Sequence, residues 1–185
     1  DAIAINQDSK AALWKKISYL LASKPDLSLI INKIKTRLQR ESIANQLMEH
    51  FPDQKFLGKV VPVEHHLAHL SSAFHVSSFN DAVVVSVDGF GDFASGAWGV
   101  GHGTNIEVDQ RIHFPHSLGI FYQALTQYLS FPNYGDEYKV MGLAPYGKPA
   151  FMDEMREILL LQDNGSYKLN LNYFRHHREN IAYEW

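Results

Sequence analysis

The chain has 185 residues, with 17 Lys and Arg against 20 Asp and Glu, a formal net charge of -3, and 45% apolar residues. That balance suits a folded chain with a real core; it excludes a disordered polyelectrolyte and offers no global basic field for nucleic acid or a membrane surface. Cysteine is absent. A disulfide framework, a thiolate metal site and a cysteine nucleophile are therefore excluded, and any metal must be held by His, Asp, Glu or water.

Residues 1–55 carry nine Lys and Arg against six Asp and Glu, whereas the remainder is acidic. The first part has helical spacing. Ser9 can cap a helix with apolar Leu13, Ile17, Leu20 and Leu21. Pro25 and Asp26 restart the chain. A second stripe follows at Leu27, Ile30, Ile31, Ile34 and Leu38, and continues at Ile43, Leu47 and Met48. The intervening basic residues read as a solvated face.

From Lys59 the pattern changes. Val60 to Val63 reads as a short strand and Glu64 to Phe74 as a helix. Ala82 to Asp88 is a run rich in β-branched valine, expected to be a strand buried on both faces. Gly89 to Gly96 reads as a glycine-rich turn, after which residues 97–101 and 106–113 complete a three-stranded meander. Ser117 to Leu129 is a helix with Leu118, Phe121, Tyr122, Leu125 and Leu129 on one face, and Ser117 or His116 is its cap. Residues 131–149 read as a loop, 151–161 as a last helix, Asn164-Gly165 as a turn and 167–173 as a strand. The class is α/β, with a boundary between units near residue 80. The longest apolar runs fall far short of the roughly 20 residues that span a bilayer. The chain opens at Asp1 without an initiator Met or signal segment and stops at Trp185 without a cap or tail. It is expected to be a piece of a longer soluble, cytoplasmic protein.

The sharpest chemical signal is His65-His66-Leu67-Ala68-His69. On a helix, His65 and His69 lie one turn apart on the same face, where two imidazoles can converge on one ion. The plainer alternative is a polar helix end. Asp88 closes the β-branched strand, where a carboxylate is costly unless it is paired, hydrogen-bonded or bound to a cation. With the two histidines it makes a facial set suited to iron, manganese or zinc; alternatively it caps the turn at Gly89. Asp88-Gly89-Phe90-Gly91-Asp92 could present N–H groups to an anion at Gly89 and Gly91, or be a plain tight hairpin. The segment from Gly135 through Asp136, Glu137, Lys139 and Gly142 to Gly147 has the look of a functional loop and equally of a connector.

Four segments in order, Val63 to Phe74, Val87 to Asp92, Phe114 to Gly119 and Gly135 to Gly147, resemble the carbamoyltransferase family that includes nodulation protein U and the antibiotic-tailoring O-carbamoyltransferases. The likeness is clearest over residues 60–150. It implies a ribonuclease-H-like core of the actin, sugar-kinase and heat-shock-protein ATPase type, incomplete here. Residues 1–80 would end its first lobe, with a helical insertion, and 81–185 would begin its second. A YrdC-like domain is expected downstream, and an opening segment with a His-Asp substrate motif upstream. The resemblance further implies a carbamoyl group carried from carbamoyl phosphate, through a carbamoyl-adenylate made with ATP, to a hydroxyl of a small-molecule acceptor. A divalent metal, iron foremost, would be held by His65, His69 and Asp88, with a further Asp outside this chain. Gly89, Gly91, Lys139 and Gly142 are the cofactor-binding candidates, and Asp92 is the candidate base for the acceptor hydroxyl. No nucleic-acid or membrane partner is expected. This piece alone would be inactive and could pair with itself to cover exposed edges. A kinase or ATPase on the same core, or a non-catalytic interaction module using residues 1–55, are the competing expectations.

Overall fold

The computed structural model describes residues 2–23, 43–53 and 56–178. Within them the chain is mixed α/β. β1 (Ala2–Ile5) pairs in parallel with β2 (Lys59–Pro62), and the Val63 N–H donates to the Ile5 carbonyl at 2.7 Å. α1 spans Leu13–Ser23 and α2 spans Ile43–His50. α3 (His65–Phe74) then precedes the meander of β3 (Asp81–Gly91), β4 (Ala94–His102) and β5 (Asn105–His113). α4 (Leu118–Tyr128) and α5 (Glu137–Leu143) follow, then α6 (Met152–Ile158). The hairpin of β6 (Leu159–Leu161) and β7 (Tyr167–Leu169) comes last. No helix among the described residues is long and apolar enough to cross a membrane.

Two apolar clusters hold these elements. In the first, Leu70 and Phe74 of α3 pack on Val84 of β3 and Ala97 of β4. The His-rich helix is thereby laid across the sheet that follows it. In the second, Ile120 of α4 meets Leu169 and Phe174, with Phe90, Phe121 and Ala124 around them.

Several expectations are corrected. β3 is not buried on both faces: Val84 and Ser86 are covered by α3, while Val83, Val85 and Val87 are exposed. A valine run interrupted only by Ser86 meets the needs of a sheet covered on one side as well as of one covered on both. The turn is not the whole of Gly89–Gly96. β3 runs through Gly91 with an irregularity after Val87, and only Asp92 and Phe93 form the reversal, at φ 51° and 74°. Two left-handed residues suit a two-residue hairpin, whose twist matches that of its strands. Neither residue is glycine, so side-chain contacts must offset a strain of order 1–3 kcal/mol per residue. The Asp92 carboxylate accepts two main-chain N–H groups. The Phe93 ring packs edge-on against Tyr19, at 5.9 Å between centroids, and also against Phe114.

Elsewhere, β1 has no counterpart in the sequence reading. α1 begins at Leu13 rather than at a cap on Ser9, and it buries none of its residues. The restart at Asp26 and the stripe from Leu27 to Leu38 lie outside the described residues. In α4 the packed positions are Ile120, Phe121 and Ala124, one step round from the expected face. The presumed loop 131–149 contains α5 and a 3-10 turn over Ala144–Tyr146. The last helix stops at Ile158, where β6 begins, and β7 ends at Leu169.

His116 illustrates how the fold holds its imidazoles. Its Nδ1 accepts the Leu169 N–H at 3.1 Å, so that nitrogen carries no proton. Burial, then the charges of Lys168, His176 and His177, depress its pKa. Burial likewise depresses His66 and His113. A group depressed in the fold stabilises it above the unfolded-state pKa, about 6.5 for His. Stability is lost as pH falls through that value. Denaturation midpoints are therefore expected to drop between pH 7.5 and pH 5, with a shallower slope in His116→Gln; a midpoint that rises on acidification would contradict this.

Candidate metal centre

α3 starts at His65 because Glu64 caps it. The Glu64 carboxylate accepts the N–H of His66 through Oε1 at 3.1 Å and that of Leu67 through Oε2 at 2.9 Å. Arg111 of β5 holds the same Oε2 at 3.2 Å. Burial pushes the Glu64 carboxyl up, but those N–H groups and the guanidinium outweigh it and hold the pKa below the usual range. The N–H of His65 itself goes to Asp92 Oδ2 at 3.0 Å. The first three N–H groups of the helix, which have no partner within it, are thus all satisfied by carboxylates.

This start point aims two imidazoles at Asp88. His65 Nε2 lies 2.8 Å from Asp88 Oδ2, His69 Nε2 lies 3.4 Å from the same oxygen, and the two Nε2 atoms are 3.0 Å apart. The three form a group of convergent donors all within 4.8 Å of one another. Metal–donor bonds of about 2.0–2.2 Å place neighbouring donors on a single ion roughly 2.9–3.5 Å apart. The observed separations sit at that spacing, so the residues present fit a divalent ion.

The donors are held from behind. His65 Nδ1 is 3.3 Å from the Asn6 carbonyl, just past β1; with an ion on the Nε2 lone pair, a proton on Nδ1 would serve that carbonyl. Asp88 Oδ1 accepts the Gly89 N–H at 2.6 Å. Both readings of Asp88 are therefore realised: one oxygen caps the local turn and the other faces the histidines. Burial raises the Asp88 pKa, but the His65 hydrogen bond, the Gly89 N–H and the two imidazoles more than reverse this and keep it ionised. His69 and Asp88 are each close to half exposed, which leaves one side of the set open to solvent. His66 turns inward instead. It is fully buried, with Nδ1 2.8 Å from Ser86 Oγ.

The irregular segment at Asp88 and Gly89 rests on the start of α4. Ser117 Oγ, fully buried, donates toward the carbonyls of Asp88 and Gly89 at 3.1 and 2.8 Å and accepts the Ile120 N–H. A Cβ on Gly119 would come within 2.9 Å of the Asp88 and Gly89 backbone.

The other named candidates fall in different places. Gly89 spends its N–H on Asp88. Gly91 abuts the His65 ring, which a Cβ there would meet. Asp92 bonds Asp8 and His65 through one oxygen. Lys139 and Gly142 are on α5, which packs against α4. Lys139 pairs with Asp136 at 2.6 Å beneath the Phe131 and Tyr138 rings. Glu64, Arg111, Ser117 and the Asn6 carbonyl all act on the set. Of these the sequence reading singled out only Ser117, as a helix cap. A Glu just ahead of the first His was the one local signal for Glu64; the partnership with Arg111 crosses 47 residues and left none.

A Cβ at Gly91 would sit 2.0 Å from the His65 ring, so the ring must move for any side chain to fit. Gly91→Ala is expected to cost about 1–3 kcal/mol in chemical denaturation, the usual cost of overpacking. It should also weaken Co2+ binding, whereas a variant with unchanged stability and Co2+ affinity would contradict the placement of that ring.

Comparison with known proteins gives this geometry a context. A family model described as the carbamoyltransferase N-terminus matches residues 5–184. The nodulation protein NolNO of Sinorhizobium fredii is 43% identical over 129 residues, 68% of this chain and 18% of that protein. The nodulation protein NolO of Bradyrhizobium diazoefficiens is 45% identical over 116 residues, 60% of this chain and 20% of that protein. An uncharacterized protein of Synechocystis sp. is 44% identical over 114 residues, 61% and 18% respectively. The matched stretches of the chain cover about a fifth of the length of these relatives. With nearly its whole length matched by the family model, and its His-rich helix laid against the Asp88 hairpin, the chain belongs to the carbamoyltransferase N-terminus family.

Proposed function

We propose that this chain is the metal-holding part of an O-carbamoyltransferase. The observation that carries the reading is the convergence of His65 Nε2, His69 Nε2 and Asp88 Oδ2 in a chain of the carbamoyltransferase N-terminus family. The full protein would combine a two-lobed ribonuclease-H-like core with a YrdC-like domain and work in the cytoplasm. It would use ATP and carbamoyl phosphate to form a carbamoyl-adenylate. Its acceptor would be a hydroxylated small molecule.

In the transfer step the acceptor oxygen forms a bond to the carbamoyl carbon, the bond from that carbon to the adenylate oxygen breaks, AMP leaves, and the hydroxyl proton passes to a base or to water. A bound divalent ion, iron foremost, would supply Lewis-acid polarisation of the carbamoyl carbonyl and neutralise phosphate charge. The residues of this chain prepare that site. The Asn6 carbonyl orients the His65 ring, and the Gly89 N–H orients Asp88. Ser117 braces the Asp88 backbone. The half-exposed His69 and Asp88 leave the open side toward which substrate can approach.

The test is transfer of the carbamoyl group from carbon-labelled carbamoyl phosphate by the full-length protein, with ATP, to a panel of polyhydroxylated acceptors. Label in the acceptor is expected, and His65→Ala and Asp88→Ala should each lower it by at least about 10–100-fold, the loss seen when only the supporting partners of a metal ligand are removed. Folded variants with full activity would contradict the ligand assignment. Phosphorylation of an acceptor without need for carbamoyl phosphate would replace the reading with a kinase.

A further inference from the structure

We infer that Asp92 is a positioning residue for the candidate metal set, clamping His65 by its main chain while Asp88 faces its ring. The inference rests on the metal reading of His65, His69 and Asp88.

Asp88 and Asp92 lie four residues apart on one hairpin, and both reach His65. Asp88 Oδ2 is 2.8 Å from ring Nε2, and Asp92 Oδ2 accepts the main-chain N–H at 3.0 Å. The same Asp92 oxygen accepts the Asp8 N–H at 2.8 Å. Asp8 stands two residues after Asn6, whose carbonyl faces His65 Nδ1. One carboxylate oxygen therefore ties together the segment after β1, at Asp8, the first residue of α3 and the turn of the β3–β4 hairpin. These are the segments that hold His65 on its main chain and on both ring nitrogens.

The backbone at Asp92 points the same way. It is left-handed at φ 51°, a conformation that a non-glycine residue keeps only when its surroundings hold it there. Hydrogen bonds to a charged acceptor are of the right size, about 1.5–3 kcal/mol each, to offset that strain. That oxygen serves to fix His65, a role distinct from that of the base for which the sequence pattern nominated Asp92.

Two variants separate these roles. Asp92→Gly removes the carboxylate and suits the left-handed turn, so the hairpin has no reason to change shape. Asp92→Asn keeps an oxygen that can accept both N–H groups but lacks the charge and basicity. In the full-length protein, Co2+ titration is expected to show D92G about 10–100-fold weaker than wild type, the range for supporting partners, with D92N within about 3-fold. Amide hydrogen exchange at His65 should be faster in D92G and near wild type in D92N. Wild-type Co2+ affinity and exchange in D92G would overturn the assignment, as would D92N as weak as D92G, since charge rather than position would then be at work. Failure of the wild-type protein to bind Co2+, or unchanged affinity in His69→Ala, would sink the metal reading itself and the clamp with it, a result visible before any Asp92 variant is compared.

Discussion

The whole site hangs on the first turn of α3. A helix start leaves N–H groups without internal partners, and here three consecutive ones, from His65, His66 and Leu67, are taken by the carboxylates of Glu64 and Asp92. Negative charge at this end is favoured by the helix dipole. Each carboxylate is anchored elsewhere: Glu64 by Arg111 of β5, and Asp92 by its place in the hairpin turn and the Asp8 N–H. The helix is therefore fixed in position and in register against the meander. The packing of Leu70 and Phe74 on Val84 and Ala97 fixes its tilt. Once both are set, the i,i+4 spacing of His65 and His69 places their Nε2 atoms over Asp88 with no further adjustment.

Much of this was legible in the chain. The histidine spacing, the carboxylate at the end of a valine run, the three-stranded meander and the Ser117 cap all follow from local periodicity and residue chemistry. What escaped was non-local or rested on side chains acting against propensity. β1 is only four residues, half of them exposed, and becomes a strand by pairing with β2 more than fifty residues later. The left-handed Asp92-Phe93 reversal reads as an unsuitable turn until its partners, Asp8, His65, Tyr19 and Phe114, are seen in space. Glycines misled in the other direction. Gly91 carries no turn; it is a strand residue whose missing Cβ makes room for the His65 ring.

The same limits explain the valines of β3. Alternation of Val83, Val85 and Val87 with Val84 and Ser86 could not show which face is covered, because both faces carry apolar groups. The structure covers the Val84 face with α3 and leaves the other exposed. Membership of the carbamoyltransferase N-terminus family sets the candidate metal set beside relatives that are much longer, about three to four times this length. The local chemistry does not depend on that remainder: every contact that orients His65 and Asp88 described above lies within this chain.

The most direct test is X-ray absorption at the metal edge of the full-length protein after loading with one divalent ion. Two imidazole nitrogens at roughly 2.0–2.1 Å are expected in the first shell, together with oxygen donors. The imidazole signal should fall by half in His69→Ala. A first shell without imidazole, or one unchanged by that substitution, would contradict the convergence of His65, His69 and Asp88 on a single ion.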